Sequence, residues 1–182
     1  MINSMQFLYL VASYLIGNIL TAYIVTKLRH NVDIRDEGSG NPGARNMGRV
    51  YGKGYFIATF FGDAIKGAIV ATVAKYLFED PTFVMLTLLA VIIGHIYPVL
   101  FKGKGGKGIS TFIGGLIVFD YLIALTLLGI FIVFYLIFKG FTKPGLITIA
   151  CLPICMILYS YSIVTTILSG IIIVLILYVN RE

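Results

Sequence analysis

Two short segments of this sequence combine glycines with basic side chains, a combination that suits phosphate binding. The first is GSGNPGARNMGR, residues 38–49, in which the glycines allow backbone N–H groups to approach an anion closely. Neutral donors and guanidinium groups accompany these glycines: Ser39, Asn41, Asn46, Arg45 and Arg49. Taken alone, the segment equally suits a flexible basic loop that binds nothing.

The second segment, KGKGGKG at 102–108, favours the phosphate interpretation. Three lysines alternate with four glycines between two apolar stretches, so ammonium groups, backbone N–H groups and a following helix N-terminus are all available to an anion. A basic membrane anchor is the alternative, but an anchor does not need the glycines. The Walker spacing is absent, so ATP hydrolysis is not indicated.

Ionisable residues also lie inside otherwise apolar stretches. Asp63 and Lys66 are three residues apart, on one face of a helix, where they can pair and lower the cost of burial. His95, in GHIYP, comes shortly before the second loop. Each of the three suits a structural role as well as a functional one. We take His95, Asp63 and Lys66 as the candidate catalytic residues, with Asp63 accepting a substrate hydroxyl or holding a loop arginine.

Other kinds of site find little support in the sequence. No Cys, carboxylate or second His has metal-ligand spacing with His95, so neither a metal nor another cofactor is expected. His30 is interpreted as a loop residue. The HxxxxD arrangement of soluble-type glycerolipid acyltransferases is missing after both histidines. Cys151 and Cys155 lie in an uncharged stretch, where a helix would bury them on one face.

The surrounding composition is that of a membrane protein. The chain is 59% hydrophobic and 12% charged, with mean hydropathy +0.97, so lipid must be the solvent for most of it. The net charge of +6 is clustered between apolar blocks, which makes nucleic acid a poor partner. The first 26 residues contain no Lys or Arg, so we expect the N-terminal stretch to remain as a span and not to be cleaved as a signal.

We predict an all-α, polytopic integral membrane protein with seven transmembrane helices in one domain, 1–182. A single helix over 109–138 would be about 45 Å long, so a break at Asp120 is favoured, and Ser160-Tyr161-Ser162 divides the last apolar run. Basic residues in short loops favour the cytoplasm, which places the N-terminus outside and both glycine loops and the C-terminus inside. The predicted spans are 5–26, 54–78, 82–101, 109–119, 121–138, 146–160 and 162–179.

Three stretches of the sequence together resemble a known family. DIRDEGSGNPGARNMGRVYGKG at 33–54, GDAIKG at 62–67 and GHIYPVLFKGKGGKGIST at 94–111 are similar, in order and spacing, to the acyl-phosphate:glycerol-3-phosphate acyltransferases of bacterial phospholipid synthesis, the PlsY type. The resemblance implies an enzyme in the bacterial cytoplasmic membrane with its site facing the cytoplasm. It implies transfer of a fatty acyl group from acyl phosphate to the sn-1 hydroxyl of glycerol 3-phosphate, giving lysophosphatidic acid and phosphate.

The resemblance also assigns the loop residues to two phosphate sites. Ser39, Gly40, Asn41, Asn46 and Arg49 would line the first, and Lys104, Gly105, Gly106 and Lys107 the second. The family usually has Thr where this chain has Arg45, and its third motif is represented here only by Thr142-Lys143-Pro144-Gly145. Two alternatives therefore stay open: a transporter or channel for a phosphorylated solute, and a diverged, catalytically weak paralogue that binds acyl phosphate.

Overall fold

The computed structural model describes residues 2–181, and within them the chain forms α-helices joined by short loops, with two 3-10 turns and no β-strand. The helices are α1 (Ser4–Gly17), α2 (Thr21–His30), α3 (Ala44–Tyr51), α4 (Lys53–Phe78), α5 (Pro81–Ile96), α6 (Ile109–Phe119), α7 (Tyr121–Phe138), α8 (Thr142–Ala150), α9 (Leu152–Leu158) and α10 (Ile163–Val179). The 3-10 turns are Ile34–Asp36 and Val99–Phe101. The predicted all-α class is confirmed.

The predicted break at Asp120 is also confirmed, and the structure shows what causes it. Helix α6 ends at Phe119, and the Asp120 carboxylate then accepts the N–H groups of Leu122 and Ile123, which caps α7. The Tyr161 hydroxyl donates to the other carboxylate oxygen at 2.9 Å. The turn at 160–162 is present as well, with Ser162 as the N-cap of α10.

Two apolar segments are less regular than their sequences suggest. The span predicted at 5–26 is interrupted between Gly17 and Thr21, where α1 and α2 meet at a bend of 40°. The Asn18 amide at this break donates to the Tyr14 carbonyl and accepts the Leu100 N–H, so it serves the break and not a continuous helix. The segment predicted at 146–160 begins earlier, at Thr142, and is divided at Cys151 into α8 and α9.

Three helical segments are long and apolar enough to cross a membrane: Lys53–Phe78, Pro81–Phe101 and Tyr121–Phe138. The bent pair α1 and α2 qualifies as a fourth if it is taken as one broken span. The remaining apolar helices, Ile109–Phe119, Thr142–Leu158 and Ile163–Val179, are shorter. Many large apolar side chains point away from the bundle, as lipid-facing side chains do.

Close helix crossings bring the polar residues of the apolar helices together. Helices α1 and α5 cross at Gly17 and Gly94, where a Cβ on Gly17 would lie 2.8 Å from the Gly94 Cα, so only glycine allows this approach. Helix α6 packs on α4 with its Thr111 carbonyl against Gly67. Gly67 is about 20 Å along α4 from its first residue, so α6 begins beside the middle of α4 and not beside its first turn.

Candidate active site

The shape of the first loop depends on Asn46, a residue of α3 that is only 1% exposed. Its amide nitrogen donates to the carbonyls of Glu37 (2.9 Å) and Ile34 (3.4 Å), and its amide oxygen accepts the Ser39 N–H at 2.8 Å. Because backbone groups occupy both donors and the oxygen, Asn46 fixes the shape of the loop. The family resemblance implies that Asn46 lines a phosphate site, whereas its amide here is bonded to the backbone of the loop.

The other predicted members of the first site lie in this loop, except Arg49, which is in the last turn of α3. The Ser39 and Arg49 side chains are exposed, and that of Asn41 lies beside Gly43 at the start of α3. Gly43 supplies no side-chain cap, so the first-turn N–H groups of α3 have no side-chain acceptor. The loop therefore carries an exposed hydroxyl and leads into an uncapped helix N-terminus, which is a suitable environment for a phosphate.

Arg45 reaches away from this loop. Its Nη1 atom donates to the Thr142 hydroxyl at 2.9 Å, at the start of α8. Arg45, one of the positions at which this chain departs from the family pattern, thus contacts the segment that stands in for the third motif.

The second loop satisfies most of its own N–H groups, contrary to the prediction that they are free for an anion. Gly105 and Gly106 donate to the carbonyls of Ile96 and His95, at 3.1 and 3.0 Å, and Lys104 donates to that of Phe101. The glycines let the chain fold back onto the end of α5, where the Gly105 and Gly106 N–H groups are bonded to carbonyls of that helix end. Gly108 supplies no side-chain cap to α6, so the N-terminus of α6 and the ammonium groups of Lys104 and Lys107 remain as cationic features.

The three candidate catalytic residues meet in one buried cluster. Asp63, Lys66 and His95 are 1%, 5% and 3% exposed. The Lys66 Nζ atom lies 3.2 Å from the Asp63 Oδ1 atom, which confirms the predicted pairing along α4, and 2.7 Å from the His95 Nδ1 atom. Burial of these groups is tolerable because each has a hydrogen-bonding partner.

The break between α1 and α2 supplies the remaining partners of this cluster. Lys66 donates to the carbonyls of Gly17 (3.1 Å) and Ile19 (2.6 Å), at the end of α1. Asp63 accepts the Thr21 hydroxyl at 3.0 Å and lies 3.4 Å from its N–H, at the start of α2. The ammonium therefore lies at a helix C-terminus and the carboxylate at a helix N-terminus, as the two helix dipoles favour.

His95 connects this cluster to the second loop. A Cβ on Gly106 would overlap the His95 Nε2 atom, so the outer edge of the imidazole lies directly against the loop. A Lys66 ammonium that donates to Nδ1 requires a neutral imidazole to carry its proton on Nε2. His95 can then donate toward the loop, whereas Lys66, with all three donors engaged, cannot reach a ligand without losing a bond.

Arg35, which is not among the predicted site residues, links the two loops. Its guanidinium holds both carboxylate oxygens of Asp33, with the shortest distance 2.6 Å, and its Nη1 atom donates to the Phe101 carbonyl at 3.3 Å. The hydrogen bonds from Arg35 hold the pKa of Asp33 below its ordinary value, and Asp33 raises the pKa of Arg35. The only signal in the sequence was its position within DIRDEG, just before the first loop.

Two clefts of about 410 and 340 Å³ lie at the other end of α4, beside Lys75 and Glu79. The Lys75 ammonium there donates to the carbonyls of Val118 and Phe119, the last turn of α6. Its charge stabilises a helix end, and the groups suited to phosphate lie at the opposite end of α4. Within residues 2–181, no three His, Cys, Asp or Glu side chains are grouped to hold a metal ion.

Comparison with known proteins identifies the family of this chain. The family model described as glycerol-3-phosphate acyltransferase matches residues 7–182. A glycerol-3-phosphate acyltransferase 1 of Bacillus cereus is 98% identical over the whole of both chains. A glycerol-3-phosphate acyltransferase of Ruthia magnifica is 38% identical over 92% of this chain and 83% of its own length.

The fold is that of a solved membrane enzyme. The crystal structure of PlsY, an integral membrane glycerol 3-phosphate acyltransferase, in its glycerol 3-phosphate form matches 98% of this chain and 90% of its own, with a TM-score of 0.90 at 31% identity. Its lysophosphatidic acid form matches with a TM-score of 0.88 at 30% identity, over 98% of this chain and 89% of its own. The chain is therefore an integral membrane protein that belongs to the glycerol-3-phosphate acyltransferase family.

Proposed function

We propose that the chain transfers a fatty acyl group from acyl phosphate to the sn-1 hydroxyl of glycerol 3-phosphate, giving lysophosphatidic acid and inorganic phosphate for phospholipid synthesis. Family membership supports the acceptor, since relatives carry that name and a structural neighbour was solved with glycerol 3-phosphate. The observation that carries the two-substrate proposal is the meeting of two cationic glycine loops, joined through Arg35 and Phe101. Two phosphate-bearing substrates need two such sites.

The reaction needs no nucleophilic side chain, because acyl phosphate is already activated. The acceptor oxygen attacks the acyl carbonyl carbon, the bond from that carbon to the phosphate oxygen breaks, and phosphate leaves with the bonding pair. The hydroxyl proton passes to a phosphate oxygen, since Lys66 occupies the His95 Nδ1 atom and Asp63 is buried beneath it. The protein contributes positioning and electrostatic stabilisation.

Individual roles follow from where each residue lies. Ser39, Gly40, Asn41 and Arg49 are proposed to hold one phosphate, with Asn46 shaping their loop. Lys104 and Lys107 are proposed to hold the other phosphate, with Gly105 and Gly106 leaving room for its approach.

His95 is proposed as the catalytic donor, because its Nε2–H can stabilise charge on the leaving phosphate. Asp63 and Lys66 are proposed to orient its ring from the buried side.

The seven-span topology is proposed in the same terms. The bent pair α1–α2 counts as the first span and α8–α9 as the sixth, and α4, α5, α6, α7 and α10 supply the others. Positive charge in the loops at 27–53, 102–108 and 139–145 supports a cytoplasmic site in the bacterial membrane, with the N-terminus outside and the chain acting as one domain.

The test is a coupled assay on purified protein in detergent. Palmitoyl phosphate is supplied with or without glycerol 3-phosphate, phosphate release is followed, and lysophosphatidic acid is identified by mass spectrometry. The proposal requires that lysophosphatidic acid form only when the acceptor is present, and that the acceptor raise phosphate release above the rate of donor hydrolysis measured without it. Formation of lysophosphatidic acid from glycerol 3-phosphate with palmitoyl-CoA, but not with palmitoyl phosphate, would show that the proposed donor is wrong. Uptake of glycerol 3-phosphate into proteoliposomes without any acyl transfer would favour a transporter instead.

A further inference from the structure

Arg35 contacts the second loop at the point that closes its turn. The Phe101 carbonyl that accepts the Arg35 Nη1–H at 3.3 Å also accepts the Lys104 N–H at 3.1 Å. The guanidinium donates to both carboxylate oxygens of Asp33, which holds it in one orientation. Asp33 also caps the turn in which Arg35 lies, by accepting the Arg35 backbone N–H at 3.0 Å. The side chain is thus a fixed link and not a free surface cation.

Aromatic rings restrict the same guanidinium from its faces. Its Cζ atom lies 5.2 Å from the ring centre of Phe101 and 5.5 Å from that of Tyr23, and these rings meet edge to face at 4.7 Å. A planar cation can stack on rings while its edge holds a carboxylate and a carbonyl. A lysine ammonium cannot make all of these contacts at once.

The backbone of Arg35 supports the first loop. A Cβ on Gly40 would lie 3.1 Å from the Arg35 carbonyl, and Gly40 has φ +72°, so the loop turns directly over this residue. The side chain of Arg35 therefore reaches one proposed phosphate site while its main chain underlies the other.

We propose that Arg35 is a positioning residue that sets the separation between the two phosphate sites and so aligns the acceptor hydroxyl with the acyl carbonyl. The inference rests on the proposed function, in which each loop holds one substrate phosphate. Transfer between two bound anions depends steeply on their separation, and a displacement of about 1 Å can lower a rate by roughly a hundredfold. Each loop keeps its own phosphate contacts when Arg35 is removed. We therefore expect kcat to fall, while the KM for acyl phosphate and the KM for glycerol 3-phosphate both change little.

The experiment compares Arg35→Ala and Arg35→Lys with Arg29→Ala. Arg29 is an exposed arginine in the last turn of α2, and its side chain makes no hydrogen bond or ion pair within the described residues. For Arg35→Ala we expect kcat to fall about ten- to a hundredfold with both KM values within about threefold of wild type. Arg35→Lys should recover only a small part of kcat, and Arg29→Ala should match wild type.

A second measurement separates positioning from simple loss of folded protein. Enzyme-dependent hydrolysis of palmitoyl phosphate needs only the donor site, whereas transfer needs both sites. An inactive fraction lowers both reactions equally, but displaced loops lower transfer selectively, so the ratio of lysophosphatidic acid to free fatty acid should fall in Arg35→Ala.

Wild-type kcat in Arg35→Ala, a loss confined to one KM, or equal loss of transfer and hydrolysis would each overturn the Arg35 inference while leaving the proposed function intact. A wild-type protein that forms no lysophosphatidic acid from palmitoyl phosphate would overturn both.

Discussion

Replacing Lys66 with methionine tests the buried cluster most directly, because methionine has a similar length but no charge. The Lys66 ammonium serves two carbonyls, the His95 ring and the Asp63 carboxylate, at 2.6 to 3.2 Å. Its removal leaves a buried carboxylate whose remaining hydrogen-bond partner, among residues 2–181, is Thr21. Breaking a buried ion pair from one side costs about 3–5 kcal/mol, so Lys66→Met should be strongly destabilised.

The assay follows thermal unfolding with a thiol-reactive dye, for which the chain carries two free cysteines, one buried at position 155 and one half-buried at 151. For a chain of this size each kcal/mol lowers Tm by about 2–4 °C, so the expected loss is roughly 6–20 °C. The matched control is Lys75→Met, since Lys75 also donates to two carbonyls but is exposed. Its Tm should fall by no more than about 4 °C.

A comparison of stability between a double variant and Lys66→Met refines the test. Asp63→Asn combined with Lys66→Met removes the uncompensated charge, so the double variant should be more stable than Lys66→Met alone. A Lys66→Met protein that melts within about 2 °C of wild type would refute the proposed energetics. A double variant less stable than Lys66→Met would show that the carboxylate is not what destabilises the single variant.

Three further predictions concern the loops. Gly106→Leu should abolish transfer in a protein that still folds in the membrane, because the new side chain displaces His95, whereas Gly129→Leu, at a position with open space around it, should retain normal turnover. Arg49→Ala should lower kcat/KM for glycerol 3-phosphate about ten- to a hundredfold, the equivalent of roughly 1.5–3 kcal/mol of charge-assisted bonding, while Arg45→Thr leaves steady-state kinetics unchanged. The opposite pattern would place the phosphate at Arg45. A cysteine at position 104 should react with a membrane-impermeant maleimide only after the cells are opened, and labelling of intact cells would overturn the proposed topology.

Much of the local structure could be predicted from the sequence. The breaks at Asp120 and Ser160-Tyr161-Ser162 follow from capping and turn residues within long apolar runs, and the structure contains both. The pairing of Asp63 with Lys66 follows from their spacing on one helix. These features depend on residues near one another in the chain, so the pattern of residue types is sufficient to predict them.

The interruption of the first span could not be predicted in the same way. The run from residue 5 to 26 is uncharged and long enough for a continuous helix. Its break at 18–20 depends on partners that are distant in sequence. Lys66 donates to the freed carbonyls, and Asp63 accepts the Thr21 hydroxyl. A broken helix inside a membrane persists only where such partners satisfy its backbone, and hydropathy does not record them.

Composition and spacing by themselves determined that the chain is helical, lies in a membrane, and carries two basic glycine loops suited to phosphate. The tertiary structure alone decided which donors are available. It directs the Asn46 amide inward and pairs the N–H groups of the second loop with carbonyls at the end of α5 and in the turn that follows. It also brings His95 against Gly106 and Arg35 against Phe101. The physical reason is that a hydrogen-bonding group can serve a ligand only if the fold has not already given it a partner, and that depends on contacts between residues far apart in sequence.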